Sequence, residues 1–250
     1  MIETPPELTR DTILGGTLTL DQPKTGYRFA LDSILLARFA RVHRRERVLE
    51  LGAGCGVVAI AIAAIFHPRE VVAIEIQPAL AQLIESNVAL NPVSEVRAVC
   101  GDIRARKIVT VEPRRFDLVV ANPPYHASGR GRQSPNAARH LARGEGAATL
   151  EDFIKAARRY VKNGGRVAFV FIANRSAELI AALRANRLEP KRVRFVHPRR
   201  HLPAANILVE ARAEGGAEVR IEPPLIVYDR VGEYSAEARV VLGAPAKPTS

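Results

Sequence analysis

From about residue 43 onward, short apolar runs alternate with longer segments of helical periodicity, and this alternation admits few folds. Runs at 48–51, 71–76, 96–100, 116–121, 166–172 and 193–196 read as strands. Segments at 57–66, 78–90 and 176–187 read as helices, the second opened by Pro78 and stopped by Asn91-Pro92. Thr149-Leu150-Glu151-Asp152 has the pattern of a capping box, and the helix it starts is expected to end at Gly164-Gly165. Strands separated by crossover helices predict a doubly wound, mainly parallel α/β sheet with helices on both faces. No helix-length segment separates the runs at 206–213 and 218–228, so these are expected to be late antiparallel strands. Ahead of the alternation, Gly15-Gly16 marks a short hairpin, and Leu31, Ile34, Leu35 and Phe39 predict a helix over 31–42. The expected organisation is an N-terminal extension and helix, 1–42, packed on a core domain, 43–250.

Composition narrows the class. With 250 residues and 47% hydrophobic residues, the chain is long and apolar enough to bury roughly 70% of its unfolded surface. Two cysteines, Cys55 and Cys100, are too few for a disulfide framework or a four-cysteine zinc site. The longest apolar stretch, 57–66, is far shorter than the ~20 residues of a membrane-spanning helix. Residues 1–7 have neither the basic start nor the apolar run of a signal peptide. A soluble, reducing, cytoplasmic protein is expected. The formal charge is +11, which is what a polyanion-binding surface requires. Arginine supplies nearly all of it, however, as GC-rich codon usage alone also would. Charge by itself does not choose between these origins.

In an open parallel sheet, ligands sit outside the carboxyl ends of the strands. The loops after Leu51, Ile76, Cys100 and Ala121 are therefore the ones to read. The first is Gly52-Ala53-Gly54-Cys55-Gly56, in which alternate glycines let the backbone turn sharply and approach a ligand closely. Its spacing is one residue shorter than that of dinucleotide-binding loops. Glu75 closes the second strand, where a carboxylate accepts hydrogen bonds from both hydroxyls of a ribose. Asp102 follows the third strand, placed to accept from an adenine amino group. After the fourth comes Asn122-Pro123-Pro124-Tyr125. Two prolines stiffen the turn and remove two N–H donors, leaving the Asn122 carboxamide and the Pro123 carbonyl as paired acceptors for an –NH₂ group. Tyr125 adds a flat face for a planar partner. Cys55 reads as a small neutral spacer in the glycine loop and Cys100 as a buried strand residue. The six histidines lack ligand spacing, so a metal site is not expected.

These motifs, in this order, resemble those of class I S-adenosylmethionine-dependent methyltransferases that modify amino nitrogens. Gly26-Tyr27-Arg28-Phe29-Ala30-Leu31-Asp32 and Ala142-Arg143-Gly144-Glu145 are similar to segments of the bacterial tRNA(Val) adenine-N6 methyltransferase family. The similarity runs from about residue 8 to 175. Two positions depart from the family pattern: His126 follows Asn-Pro-Pro-Tyr in place of Phe, and Gly144 stands in place of His. Both would face the acceptor.

The resemblance implies that Glu50, Gly52, Ala53, Gly54, Gly56, Glu75, Ile76, Asp102, Ile103 and Asn122, with Tyr27 and Phe29, bind S-adenosylmethionine. It implies that Asn122, Pro123 and Tyr125 are catalytic, and that Pro124, Tyr125, His126, Arg130, Arg132, Arg139 and Arg143 meet a tRNA substrate. A second basic cluster, Arg192, Arg194, Arg199 and Arg200 with His201, has no role assigned by the resemblance. Protein-glutamine N5-methyltransferases and ribosomal-RNA guanine-N2 methyltransferases share the Asn-Pro-Pro-Tyr chemistry. The first carry a helical domain ahead of the glycine loop, for which about fifty residues leave no room. Many of the second carry an additional domain. A catalytically idle RNA-binding module is the non-enzymatic alternative, and the intact motif set argues against it.

Overall fold

The computed structural model describes residues 7–24, 31–125, 147–230 and 232–244. Strands β1 (Leu8–Ile13) and β2 (Leu18–Pro23) form the expected antiparallel hairpin, closing at Ile13 opposite Leu18. Helix α1 (Leu31–Phe39) follows, and the alternation then runs β3 (Arg47–Leu51), α2 (Val57–Phe66), β4 (Glu70–Glu75), α3 (Pro78–Ala89), β5 (Val96–Cys100), β6 (Phe116–Ala121), α4 (Leu150–Tyr160), β7 (Val161–Ile172), α5 (Ser176–Ala185), β8 (Leu188–His197) and β9 (Asn206–Ala213). Two short strands, β10 (Arg220–Ile221) and β11 (Leu225–Ile226), and a last helix, α6 (Ala236–Leu242), complete the order used below. No helix among the described residues is long and apolar enough to cross a membrane.

The main sheet is ordered β10-β8-β9-β7-β6-β3-β4-β5, with β11 also paired to β8. Strands β5, β4, β3, β6 and β7 are parallel, and β9 is antiparallel to both β7 and β8. The central strands are buried on both faces, which is why they read as unbroken apolar runs rather than alternating ones. Successive residues feed opposite layers. Val48, Val71 and Leu118 pack under α1, α2 and α3, whereas Leu49, Val72 and Val119 pack under α4 and α5. Helix α2 is apolar all round, and its residues from Val57 to Ala63 are buried. The hairpin is tied to α3 by two amide side chains. Asn91 exchanges hydrogen bonds with the Thr19 backbone, and the fully buried Asn87 does so with Asp21 while also donating to the Cys55 carbonyl.

Three sequence expectations are corrected. Helix α4 starts with the capping box on Thr149 and Asp152, but it ends at Tyr160 rather than at Gly164-Gly165. Val161 is already extended and pairs with Phe116, while Arg166 pairs with Leu118, so residues 162–165 loop out of the ladder. The glycines serve that excursion: a Cβ on Gly165 would sit 2.8 Å from Val161 and 3.0 Å from the Asp117 carbonyl. Secondly, 218–228 is not one antiparallel strand. Pro223-Pro224 divides it, and both halves run parallel to β8, Arg220 opposite Arg192 and Leu225 opposite Val196. The chain leaves β9 beside the start of β8, passes that end where Lys191 binds the carbonyls of Ala217 and Glu218, and enters along the free edge in the same direction as β8. Thirdly, Cys100 is exposed, because it ends the edge strand β5.

Candidate active site

The chain runs β3, β4, β5 to one side of β3 and then returns to place β6 on the other, so the topological switch lies between β3 and β6. In the register of those strands Leu51 lies opposite Ala121, which sets Gly52 and Asn122 side by side at the carboxyl edge. The same edge receives Glu75 opposite Cys100, at the ends of β4 and β5.

The glycine loop has positive φ at Gly52, Gly54 and Gly56, of 67°, 58° and 85°. At Gly52 a Cβ would lie 2.9 Å from the Phe153 ring, and at Gly56 it would lie 3.0 Å from Ile84. A side chain is therefore excluded at both positions by conformation and by packing. The loop is pinned by its own backbone, Ala53 N–H donating to the Ile74 carbonyl and Gly56 N–H to that of Ala53. Gly56 gives α2 no side-chain cap. Glu50 supplies the missing acceptor, taking the Ala59 N–H at 2.9 Å. Burial pushes the Glu50 carboxyl up to about 8, against the Ala59 hydrogen bond and helped by the neighbouring Glu75. Glu75 is also raised by burial, opposed by backbone N–H donors from Gln77 and Gly54. Its two oxygens bind Gly54 N–H at 2.8 Å and Gln77 N–H at 3.0 Å, joining the glycine loop to the start of α3. Beside it Ile76 is 44% exposed, an apolar surface left open at the strand end. Asp102 is paired to the Arg104 guanidinium, which holds its carboxyl below the usual carboxylate range, and Ile103 is buried. Burial of Cys55 raises its thiol to about 12, in keeping with a neutral spacer. Among the described residues no group of three or more His, Cys, Asp or Glu is arranged for a metal ion.

Around Asn122 the structure assembles residues that sequence reasoning did not single out as site residues. Ser33, 1% exposed in the first turn of α1, accepts from the Asn122 amide nitrogen at 3.4 Å. The Tyr125 hydroxyl lies 3.1 Å from the Asn122 amide oxygen and also donates to the Asp32 carboxylate. Asn206, the first residue of β9, donates to that hydroxyl oxygen at 3.4 Å. Arg175 binds the Tyr125 carbonyl at 3.2 Å and lies over the Phe171 ring, against which the Tyr125 ring packs edge-on at 5.8 Å. Asp32 and Tyr125 are 93 residues apart, and Asn206 and Tyr125 81, so no local signal joins them. Periodicity predicts helix α1, and the family-like segment ending at Asp32 is what points to its start as part of the site. Pro123 is buried and Pro124 exposed at the same rim. Tyr27, Phe29, His126, Arg130, Arg132, Arg139 and Arg143 lie outside the described residues.

The second basic cluster divides. Arg192 is 6% exposed, bonded to Glu210 at 3.1 Å and Glu222 at 3.5 Å, with its guanidinium 3.9 Å from the Phe39 ring centroid. Arg194 is paired with Glu237. Neither is available to a polyanion. By contrast, Arg200 and His201 are exposed in the turn after β8, at the edge that holds Tyr125, and Arg199 is half-buried there. Arg199 and Arg200 form no ion pair among the described residues.

Residues 30–187 match the family model of the methyltransferase small domain. A tRNA1(Val) (adenine(37)-N6)-methyltransferase of Porphyromonas gingivalis is 30% identical over 226 residues, covering 87% of this chain and 88% of that protein. The protein of the same name from Tolumonas auensis is 27% identical over 221 residues, covering 87% and 89%. Among solved structures, protein Atu636 of Agrobacterium tumefaciens, described as a predicted O-methyltransferase, superposes with a TM-score of 0.67 at 23% identity over 84% of this chain and 94% of its own. TYW2 from M. jannaschii, in complex with AdoMet, gives a TM-score of 0.56 at 15% identity over 85% of this chain and 88% of its own. At those identities the structural likeness speaks for the fold.

Proposed function

This chain belongs to the methyltransferase small domain family, and from that premise we propose that it is an S-adenosylmethionine-dependent methyltransferase acting on the exocyclic N6 amino group of an adenine in tRNA. The observation that carries this reading is the Asn122 carboxamide held next to the glycine loop by the Leu51–Ala121 register, with Tyr125 at its side. The names of the curated relatives support the acceptor. A tRNA acceptor makes the cytoplasm the expected compartment.

The residues present suit the cofactor. Positive φ at Gly52, Gly54 and Gly56 bends the loop sharply at the strand end, with Gly52 and Gly56 seated against Phe153 and Ile84; Glu75 is held by the loop itself, and exposed Ile76 offers an apolar face for a base. Gly52 to Gly56, Glu75, Ile76 and Asp102 would hold the nucleoside end. When bound, S-adenosylmethionine supplies an electrophilic methyl group on a sulfonium sulfur.

The chain's own task is positional. The N6 lone pair of adenine is delocalised into the ring and is a poor nucleophile, so the nitrogen must be held in line with the methyl group. The Asn122 side-chain oxygen accepts an amino N–H, together with the Pro123 carbonyl. Those hydrogen bonds strengthen as the nitrogen pyramidalises, so they favour the transition state over the bound ground state. The Tyr125 ring and exposed Pro124 border the base. Arg199 and Arg200 lie on the same edge as contacts for RNA phosphates, where counterion release makes binding salt-dependent.

Incubation with methyl-labelled S-adenosylmethionine and separate total tRNA, ribosomal RNA and protein pools tests the reading. Label recovered as N6-methyladenosine from tRNA is the expected result. Label in glutamine or in N2-methylguanosine would refute the acceptor assignment, and label in no pool would refute the activity.

A further inference from the structure

Asp32 is 8% exposed, and its Oδ1 has no hydrogen-bond partner among the described residues. Its place in the first turn of α1 favours a negative charge, yet no described cation pairs with it. Its partner is the Tyr125 hydroxyl, which bonds to Oδ2. That hydroxyl has one proton and, among the described residues, two acceptors within reach, since the Asn122 amide oxygen lies at 3.1 Å. Asn206 donates to the hydroxyl oxygen and takes no proton from it. Hydrogen bonds to ionised acceptors are roughly twice as strong as neutral ones, so the proton goes to Asp32. Meanwhile Ser33, the next residue, accepts from the Asn122 amide nitrogen and turns its oxygen toward the site.

We propose that Asp32 is a positioning residue: by taking the single hydroxyl proton of Tyr125, it keeps the Asn122 side-chain oxygen open to the amino group being methylated. Without the charge at Asp32, the hydroxyl donates to Asn122 instead and occupies the acceptor that the substrate needs. The nearby tyrosine then inhibits the reaction it otherwise assists. This rests on the assignment of Asn122 as the amino-group acceptor.

The test is a four-protein cycle of wild type, Asp32→Asn, Tyr125→Phe and the double variant. Turnover is measured at saturating cofactor and RNA, per site titrated with S-adenosylhomocysteine in a calorimeter. Asp32→Asn in the wild-type background is expected to lower kcat at least tenfold, with RNA KM and S-adenosylhomocysteine affinity within twofold. In the Tyr125→Phe background no hydroxyl remains to redirect, and the same change is expected to move kcat less than threefold. Losses in the two backgrounds that agree within threefold would overturn the proposal. So would a wild-type-background loss below tenfold, or failure of Asp32→Asn to bind S-adenosylhomocysteine, which would mark Asp32 as structural. Labelling by the wild type judges the tRNA reading separately, and the cycle is run on whichever pool the wild type labels.

Discussion

Replacing Glu50 by Gln isolates the most perturbed carboxyl of the site. Its proton is held up to about 8 instead of the ordinary 4.5, chiefly because burial penalises the charge. Each tenfold change in proton affinity is about 1.4 kcal/mol, so ionising Glu50 inside the fold costs at most roughly 5 kcal/mol more than in the unfolded chain. The sign follows from proton counting. Between about 4.5 and 8 the folded state binds more protons than the unfolded state, so stability falls as pH rises through that window and levels off above it. Glu75, also raised, contributes in the same direction. Carboxyls that are lowered, such as Asp21, Glu70 and Asp102, act in the opposite sense but are common to both proteins, so they leave the difference between variant and wild type unchanged. Glutamine keeps an oxygen for the Ala59 N–H and never ionises. Urea denaturation of the cofactor-free protein at pH 5, 6, 7 and 8 should show the variant matching wild type at pH 5 and exceeding it by several kcal/mol at pH 8. Parallel stability curves from pH 5 to 8 would refute the buried-charge argument.

Asn122→Ala should reduce turnover at least a hundredfold while leaving S-adenosylmethionine affinity within about threefold, read by labelled transfer and calorimetry, because it removes an interaction needed at the reacting nitrogen. Gly52→Ala places a Cβ at φ 67° and 2.9 Å from Phe153. The left-handed conformation costs roughly 1–2 kcal/mol and the overlap a similar amount or more, so thermal denaturation should show a loss of about 2–4 kcal/mol that Phe153→Leu relieves in part. The paired variant Arg199→Ala/Arg200→Ala should flatten the dependence of tRNA binding on salt by about two contacts. Arg192→Ala, by contrast, should cost a few kcal/mol of stability by removing a buried partner of Glu210 and Glu222, which keep only Arg166 and Arg41 among the described residues, and by emptying the space against the Phe39 ring, with the salt slope unchanged.

How much of this was legible beforehand follows from the range of each interaction. Strands 96–100, 116–121 and 206–213 and helix 57–66 were read with their observed limits, since apolar runs and punctuation by Gly and Pro are local features. The capping box on Thr149 was legible for the same reason, being complete within four residues. The end of the helix it starts was not. Gly164-Gly165 carries the composition of a helix stop, but pairing of Val161 with Phe116 ends the helix earlier. Edge position exposed Cys100, and passage of the chain beneath β8 made the last strands parallel. Both depend on neighbours chosen by the whole sheet.

By itself, the sequence determined the reaction and the fold class. Alternating strands and helices require a parallel sheet, and groups at consecutive strand ends must then meet at one edge, whatever the details of packing. Only the tertiary structure decided which charges are free and which side chains govern Asn122. Of the arginines behind the net charge of +11, Arg192, Arg166 and Arg194 are consumed by acids across strands and helices, whereas Arg199 and Arg200, at the carboxyl edge of the sheet, form no ion pair among the described residues. Asp32, Ser33 and Asn206 reach Asn122 and Tyr125 across more than eighty residues of chain. Periodicity reports only on neighbours a few residues away; hydrogen bonds at that separation exist because folding brings α1, β6 and β9 to one place.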